Sequence, residues 1–187
     1  MRIAPNEKCT LCPTLIHHTR TQPVPGDGPV PCPIMFVGEA PGYNEDKLGR
    51  PFVGRAGQMF DSLLYRAGLT RDNVYVTNVV KCRPTENGRN RQPTLEEVKA
   101  CSEFLAAEIV QVEPKVICPM GNVATQHFAI QAAISRVHGQ VFERTYCLYD
   151  VKLIPLYHPA VAMYNKALFP TLLADMKTVK QVLGTLT

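Results

Sequence analysis

A short apolar run that ends abruptly in a glycine-rich loop sets the architecture expected of this chain. Residues 34–38 read Ile-Met-Phe-Val-Gly, and the loop after them carries further glycines and prolines up to Gly54. Residues 55–67 then show apolar side chains at helical spacing, and Gly68 is a stop signal. A strand, a close-fitting loop and a helix make half of a βαβ unit, in which ligands bind beyond the strand's carboxyl end. The sequence therefore predicts a binding loop here, with a purely structural turn as the alternative.

Further strands and helices follow the same plan. Strands are predicted at residues 72–80 and 116–120, and a pair of extended segments follows at 140–146 and 151–157. Helices are predicted from the cap at Thr94 to a stop before Pro114, from Gly121 to about Ala129, and from about Thr171 to Leu183. Gly38, Asn78, Gly121 and His158 each stand at the carboxyl end of a predicted strand. We therefore expect an α/β fold, a three-layer α/β/α sandwich around a mainly parallel four-stranded sheet, with these residues along one rim.

Size and composition are those of an ordinary soluble domain. The chain has 187 residues, of which 45% are hydrophobic and 19% charged. No apolar run approaches membrane-spanning length, and the N-terminus lacks the apolar core of a signal peptide, so we expect a cytoplasmic protein without a membrane partner. Residues 1–33 are too few to form a core, and are predicted to be an ordered N-terminal strap on a single domain spanning residues 1–187.

A local concentration of positive charge is more informative than the net charge of +4. Lys81, Arg83, Arg89 and Arg91 fall within a short stretch that is also rich in proline, asparagine and glycine. Such a basic loop is typical of contacts with nucleic acid, although a merely solvated loop has the same composition.

Seven cysteines in a cytoplasmic chain favour metal ligands or core thiols over disulfides. Cys9 and Cys12 form a CxxC pair, and the more distant Cys82 and Cys101 can complete a four-ligand set. Spacing alone leaves zinc and an iron-sulfur cluster both open. Either would tie the strap to the loop after the second strand. The remaining cysteines are interpreted as small core residues: Cys32, Cys118 and Cys147.

Several motifs occur in a fixed order along the chain. They are GEAPG at residues 38–42, Glu45-Asp46, Gly49-Arg-Pro-Phe-Val-Gly54, Thr77-Asn78, Lys81-Cys-Arg-Pro84 and His158-Pro159-Ala160. In this combination the chain resembles the iron-sulfur uracil-DNA glycosylases known as family 4, from Cys9 to nearly the C-terminus. The resemblance implies a uracil-DNA glycosylase-like domain and hydrolysis of the N-glycosidic bond of uracil in single- or double-stranded DNA. The product would be an abasic site, which starts base excision repair.

The resemblance also implies a 4Fe-4S cluster and a set of site residues. The cluster would be held by Cys9, Cys12, Cys82 and Cys101. A flipped uracil would stack on Phe52, have its edge read by Asn78, and receive a hydrogen bond on O2 from His158. Each of these three has a structural alternative, as a core residue, a turn residue or a loop cap. The residues implied to surround the base are Gly38, Glu39, Ala40 and Glu45, and either Glu39 or Glu45 would position the attacking water. Tyr43 would exclude the methyl group of thymine. The DNA would be contacted by Arg83, Arg89 and Arg91.

Three departures refine this expectation. Ala40 stands where the cluster-free uracil glycosylases have a catalytic aspartate, so water activation must come from elsewhere or matter less than leaving-group stabilisation. The interval between Cys82 and Cys101 is longer than usual, which leaves the local DNA contacts open. The insertion that marks covalently trapping relatives is missing from the sequence, so irreversible trapping is not expected.

Other functions remain open from the sequence. A non-catalytic iron-sulfur protein that binds nucleic acid or carries electrons would use the same cysteines and basic loop, and a zinc-stabilised binding module is a further alternative. A monomer is expected, because a base-flipping enzyme of this size needs only one site. Recruitment by a sliding clamp is left open.

Overall fold

A five-stranded sheet forms the centre of the molecule. The computed structural model describes residues 9–12, 15 and 20–186, so most of residues 1–19 of the predicted strap lie outside the described residues. In chain order the strands are β1 (Ile34–Gly38), β2 (Tyr75–Asn78), β3 (Thr85–Glu86), β4 (Arg89–Asn90), β5 (Val116–Pro119), β6 (Phe142–Tyr146) and β7 (Tyr149–Leu153). The sheet has the order β2-β1-β5-β7-β6, while β3 and β4 form a separate hairpin.

The expected mainly parallel sheet is confirmed. Strands β2, β1, β5 and β7 run parallel and are the four predicted from sequence. The first of the two extended segments, at residues 140–146, adds β6 as a fifth, antiparallel edge strand. Only Cys147 and Leu148 connect β6 to β7, and both have positive φ angles of 51° and 68°. Such a short connection can join only antiparallel neighbours, which fixes the direction of β6.

Helices cover both faces of the sheet. They are α1 (Tyr43–Leu48), α2 (Arg55–Arg66), α3 (Leu95–Val112), α4 (Asn122–His127), α5 (Ile134–Val137), α6 (Val161–Tyr164) and α7 (Phe169–Gly184). Phe36 of β1 packs its ring 5.0 Å from Phe60 of α2. Val37, the next residue of β1, is in register with Thr77 of β2, and the Thr77 hydroxyl donates a hydrogen bond to Glu108 of α3. Because neighbouring residues of a strand point to opposite faces, α2 and α3 lie on different sides, and the three-layer arrangement is confirmed.

Helix α3 has the boundaries expected from its sequence. Thr94 accepts a hydrogen bond from the backbone N–H of Glu97 at 3.3 Å, and the Glu97 carboxylate accepts one from the N–H of Thr94 at 2.8 Å. This capping box satisfies two N–H groups that have no partner within the helix. The helix ends at Val112, and Glu113 closes it in the left-handed conformation (φ 51°) just before Pro114.

The described part of the strap lies along the outer edge of β2. Asp27 and Val76 exchange two backbone hydrogen bonds of 2.9 and 2.8 Å, and Val24 N–H donates to the carbonyl of Lys81 at 2.7 Å. Cys32 N–H then donates to the carbonyl of Val112 at the end of α3. The strap is therefore ordered against the sheet where it is described.

The prediction of a basic loop after β2 was wrong in two respects. Residues 85–90 form the hairpin β3–β4, whose turn residues Asn87 and Gly88 both have positive φ angles. Lys81 is fully buried and does not contribute to the basic surface.

Among the described residues, no helix combines the length and the apolar character needed to cross a bilayer.

Candidate active site

The carboxyl ends of the parallel strands open onto a cavity of about 390 Å³. Its walls come from the loop after β1, helix α1, the start of α2, the end of β2, the β3–β4 hairpin and the segment after β7. The lining residues are Ala40, Gly42, Tyr43, Asn44, Glu45, Phe52, Gly54, Arg55, Ala56, Asn78, Asn90, His158 and Ala160. The structure thus brings together most of the residues that were predicted to surround a base.

Asn78 ends β2 beside Gly38, its partner in register on β1. It is only 2% exposed, and its side chain lines the cavity. A Cβ atom on Gly38 would collide with Asn78 Oδ1 and would lie 2.6 Å from Phe52 Cζ, so a glycine is needed for both side chains to approach. Within the described part of the chain, the Asn78 carboxamide has no hydrogen-bond partner. Its donor and its acceptor are therefore both available to a ligand.

Phe52 is fixed from several directions. It adopts a left-handed backbone conformation (φ 54°) that is uncommon for an aromatic residue, and it is 6% exposed. Its carbonyl accepts a hydrogen bond of 2.7 Å from the guanidinium of Arg71. Its ring lies 5.9 Å from the His158 ring and is tilted by 31° from it. The two rings form adjoining walls of the cavity, as a stacking residue and a polar partner for a base would.

His158 follows an extension of the β5–β7 pairing, in which Met120 and Leu156 form an additional parallel bridge. The backbone N–H of Ala160 donates to His158 Nδ1 at 3.3 Å, so in the neutral imidazole the proton is on Nε2. Burial lowers the pKa of His158 to about 4, and the nearby Glu45 carboxylate opposes this effect only in part. At neutral pH the side chain is therefore an uncharged hydrogen-bond donor.

Gly121, the fourth residue predicted at the rim, lies behind His158. Its N–H donates to the carbonyl of Leu156 at 2.9 Å, and a Cβ built on it would be 3.5 Å from His158 Cβ. Gly121 has a φ angle of +87°, which disfavours any side chain at this position. It supports the histidine without lining the cavity.

The two candidate glutamates have different positions. Glu45, in the first turn of α1, lines the cavity, and its Oε1 accepts a hydrogen bond of 2.6 Å from the N–H of Gly54. Glu39 is not among the described residues that line the cavity, and its backbone carbonyl accepts the N–H of Val80 at 3.0 Å. Burial raises the pKa of Glu39. A carboxylate facing the cavity is therefore supplied by Glu45.

A cationic group lies at the mouth of the cavity, around Tyr43. The Tyr43 side chain is 52% exposed, with Lys47 Nζ 4.6 Å and Arg83 Cζ 5.1 Å from its ring centroid. Arg83 Nε also donates to Asn90 Oδ1 at 2.7 Å, which joins the hairpin to α1. Neither Asn90 nor Lys47 was predicted from the sequence. The Asn-Gly dipeptide at residues 87–88 was the available signal, because it predicts a tight hairpin that places Asn90 next to the cavity.

The other two predicted DNA contacts have contrasting surroundings. Arg89 is exposed on β4. Arg91 instead donates to both carboxylate oxygens of Glu97 at 2.8 and 2.6 Å, within the cap of α3. The structure thus commits Arg91 to the protein itself and leaves Arg89 facing solvent.

The four cysteines of the predicted ligand set lie within electrostatic range of one another. The pKa of Cys12 is raised to about 11 and that of Cys101 to about 12, chiefly by burial and in smaller part by negative charge on Cys82. The N–H of Lys81 donates to Cys101 Sγ at 3.2 Å, and Arg20 donates to Cys82 Sγ at 3.5 Å. Across residues 9–12, 15 and 20–186, however, no three Cys, His, Asp or Glu side chains form a group tight enough to hold a metal ion.

Comparisons with known proteins agree with this geometry. The sequence model of the Uracil DNA glycosylase superfamily matches residues 25–181. A type-4 uracil-DNA glycosylase of Archaeoglobus fulgidus is 41% identical over 94% of this chain and 88% of its own length. One of Thermotoga maritima is 44% identical over 86% of this chain and 81% of its own. A type-5 uracil-DNA glycosylase of Pyrobaculum aerophilum is 30% identical over 84% of this chain and 80% of its own. The chain therefore belongs to the uracil-DNA glycosylase superfamily and, within it, to the type-4 enzymes.

Proposed function

We propose that this protein is a uracil-DNA glycosylase that removes flipped-out uracil from DNA and leaves an abasic site for base excision repair. The observation that carries the proposal is the unpaired carboxamide of buried Asn78, which lines a cavity between the Phe52 and His158 side chains. The amide atoms are open to the cavity, so a ligand that replaces water there must offer a matching donor and acceptor. Uracil offers complementary groups on its edge and a flat face for the aromatic ring.

Asn78 selects uracil over cytosine in this proposal. Its Oδ1 accepts from uracil N3–H while its Nδ2 donates to O4, and cytosine presents the opposite pattern at both positions. Phe52 stacks on the ring. Gly38, Glu39 and Ala40 provide backbone beside the base, and the glycine permits the close approach.

Leaving-group stabilisation by His158 drives the reaction. As the glycosidic bond stretches, electrons move onto the uracil ring and the sugar gains cationic character. The Nε2–H of the neutral imidazole donates to uracil O2 and stabilises the growing negative charge. Glu45, which faces the cavity, positions the attacking water, and Glu39 contributes to the shape of the loop below it. With Ala40 in place of an aspartate, leaving-group stabilisation carries most of the catalysis.

DNA binds across the cationic mouth of the cavity. Arg83 and Lys47, held around Tyr43, and the exposed Arg89 contact the phosphates on either side of the flipped nucleotide. Tyr43 limits the space at the outer side of the base. Arg91 contributes indirectly, through its ion pair with Glu97 at the base of the hairpin.

Cys9, Cys12, Cys82 and Cys101 are proposed to hold a 4Fe-4S cluster. Four thiols are the donor set that such a cluster takes, and the N–H donors on the sulfurs of Cys82 and Cys101 are of the kind that stabilise thiolates. Burial raises the pKa of the Cys12, Cys82 and Cys101 thiols, so loading the cluster would release protons from them. When bound, the cluster serves a structural purpose and fastens the strap to the loop after β2.

The proposal also covers the location, the oligomeric state and the partners of the protein. The enzyme acts on DNA in the cytoplasm as a monomer, because a single chain supplies every residue assigned to the cavity. Recruitment by a sliding clamp stays a prediction without an assigned surface.

The test is release of free uracil from a uracil-containing oligonucleotide, followed by alkaline cleavage of the abasic sites. The unaltered protein is compared with Asn78→Ala and His158→Ala, whose folding is checked by circular dichroism. We expect uracil release by the unaltered protein and a loss of about 100-fold or more in each variant. A folded, brown protein that binds the oligonucleotide but releases no uracil would instead favour a non-catalytic iron-sulfur binding or redox protein. A colourless preparation would favour zinc.

A further inference from the structure

A fully buried ion pair lies directly beneath the end of β2. Lys81 is 0% exposed and Glu108 of α3 is 1% exposed, and Lys81 Nζ lies 2.6 Å from Glu108 Oε2. The ammonium also donates to Thr77 Oγ1 at 2.7 Å and to the backbone carbonyl of Asn78 at 2.6 Å. The Thr77 hydroxyl in turn donates to Glu108 Oε2. All three N–H groups of the ammonium are therefore used.

The same pair connects separate parts of the fold. Glu108 Oε1 accepts the N–H of Gly26 in the strap at 3.0 Å, and the Lys81 carbonyl accepts the N–H of Val24. The backbone N–H of Lys81 donates to Cys101 Sγ. One residue thus contacts the strand that carries Asn78, the helix on the opposite layer, the strap and a predicted cluster ligand.

Stability alone is a poor explanation for this arrangement. Removing two charges from water is costly, and well-packed apolar residues in place of a buried ion pair are often as stable or more so. Such a pair does provide a fixed local geometry, because three short hydrogen bonds from one ammonium hold their acceptors in place. One of these acceptors is the peptide group of the residue that faces the cavity.

Asn78 needs this external support. Its carboxamide has no hydrogen bond to any described residue that would hold it in one orientation. Hydrogen bonds hold the backbone on either side of this carboxamide: Val79 N–H donates to the Gly38 carbonyl at 2.9 Å, and Lys81 Nζ donates to the Asn78 carbonyl at 2.6 Å. Rotation of that peptide would turn the amide away from the base edge.

We propose that Lys81 and Glu108 are positioning residues that set the orientation of Asn78 for base readout. This inference rests on the proposed function, because it assigns a role to the pair in uracil excision. Neither residue lines the cavity described above, so both act through Asn78.

The experiment is a double-mutant cycle on the single-turnover rate of uracil release. Lys81→Met alone leaves a buried carboxylate unpaired, so it is combined with Glu108→Gln, which is neutral and keeps an acceptor for the strap. Thr77→Val is a second, milder perturbation of the same network, and Thr77→Ser, which retains the hydroxyl, is its rescue variant. The matched control is Lys152→Met with Glu143→Gln, which removes an ion pair (30% and 82% exposed) between β7 and β6, away from the cavity.

We expect the Lys81→Met/Glu108→Gln protein to excise about 10-fold more slowly, because a displaced amide loses transition-state contacts. Its affinity for DNA that carries an abasic site should stay within about 2-fold of the unaltered value, and the surface control should keep its rate. In an Asn78→Ala background, followed over long time courses, the same pair of substitutions should change the residual rate by less than about 2-fold.

Two results would overturn the inference. One is a folded Lys81→Met/Glu108→Gln protein that releases uracil at the unaltered rate. The other is the same 10-fold loss of rate in the Asn78→Ala background, which would show that the ion pair affects excision independently of the Asn78 side chain. If the double variant does not fold, the rates of Thr77→Val and Thr77→Ser are compared instead, each with Asn78 and with Asn78→Ala. The inference then requires a slower rate for Thr77→Val, a restored rate for Thr77→Ser, and no such difference without the Asn78 side chain. A lack of uracil release by the unaltered protein is a distinct outcome that refutes the proposed function and the inference together.

Discussion

Gly38→Ala is the substitution for which the structure gives the clearest quantitative expectation. The added Cβ would lie 2.6 Å from Phe52 Cζ, against 3.4 Å for an ordinary contact, so the ring or the strand must move by about 0.8 Å. It would also collide with Asn78 Oδ1. Overpacking of this kind costs about 1–3 kcal/mol of stability. A displacement approaching 1 Å at reacting groups slows catalysis by about 100-fold.

The assay is single-turnover uracil release, with urea unfolding to measure stability on the same samples. Gly184→Ala is the matched control, because its Cβ meets nothing within 4 Å and its φ angle is not in the positive range. It should keep full activity and change the stability by less than about 0.5 kcal/mol, because it is the last residue of α7. A Gly38→Ala protein with a rate within about 3-fold of the unaltered value would refute the view that Asn78 and Phe52 share this space in the active enzyme.

Three further predictions concern pH, salt and the cysteines. Because burial lowers the pKa of His158 to about 4, the pH profile of excision should show no titration of this residue near its ordinary value of about 6.5. The same pKa shift makes the free energy of unfolding decline as pH falls from about 6.5 towards 4, because His158 binds a proton in the unfolded chain before it does so in the folded one. Urea titrations across this pH range should show a smaller decline for His158→Ala than for the unaltered protein. Arg83→Ala and Arg89→Ala should each reduce the slope of log binding constant against log salt by about 1, while Arg91→Ala should leave the slope unchanged and lower the urea midpoint. Cys101→Ser should bleach the visible absorbance of freshly purified protein, and retention of the full spectrum would remove this residue from the ligand set.

Local sequence signals predicted the framework well. The apolar run at β1, the Thr94 capping box and the stop before Pro114 all depend on neighbouring residues, and each is present in the structure. Parallel strand ends meet at one edge of a sheet by geometry, so Asn78 and His158 could be placed together without knowing the intervening loops.

The remaining features depend on contacts that are distant in sequence. Lys81 was interpreted as a surface cation because its partner, Glu108, is on another layer of the fold. Arg91 was assigned to DNA although its carboxylate partner lies in the next helix. Whether Glu39 or Glu45 lines the cavity depends on the direction of helix α1, which the spacing of residues in the sequence does not define.

Strand β2 is an edge strand whose outer hydrogen-bonding groups are occupied by the strap, through Asp27 and Val76. The opposite edge, β6, is protected differently, by exposed charged side chains such as Glu143 and Arg144. Release of the strap would leave an unprotected strand that is free to pair with a second copy of the chain. The residues that fasten the strap therefore also guard the protein against self-association, and its colloidal stability depends on a segment that precedes the first strand of the sheet.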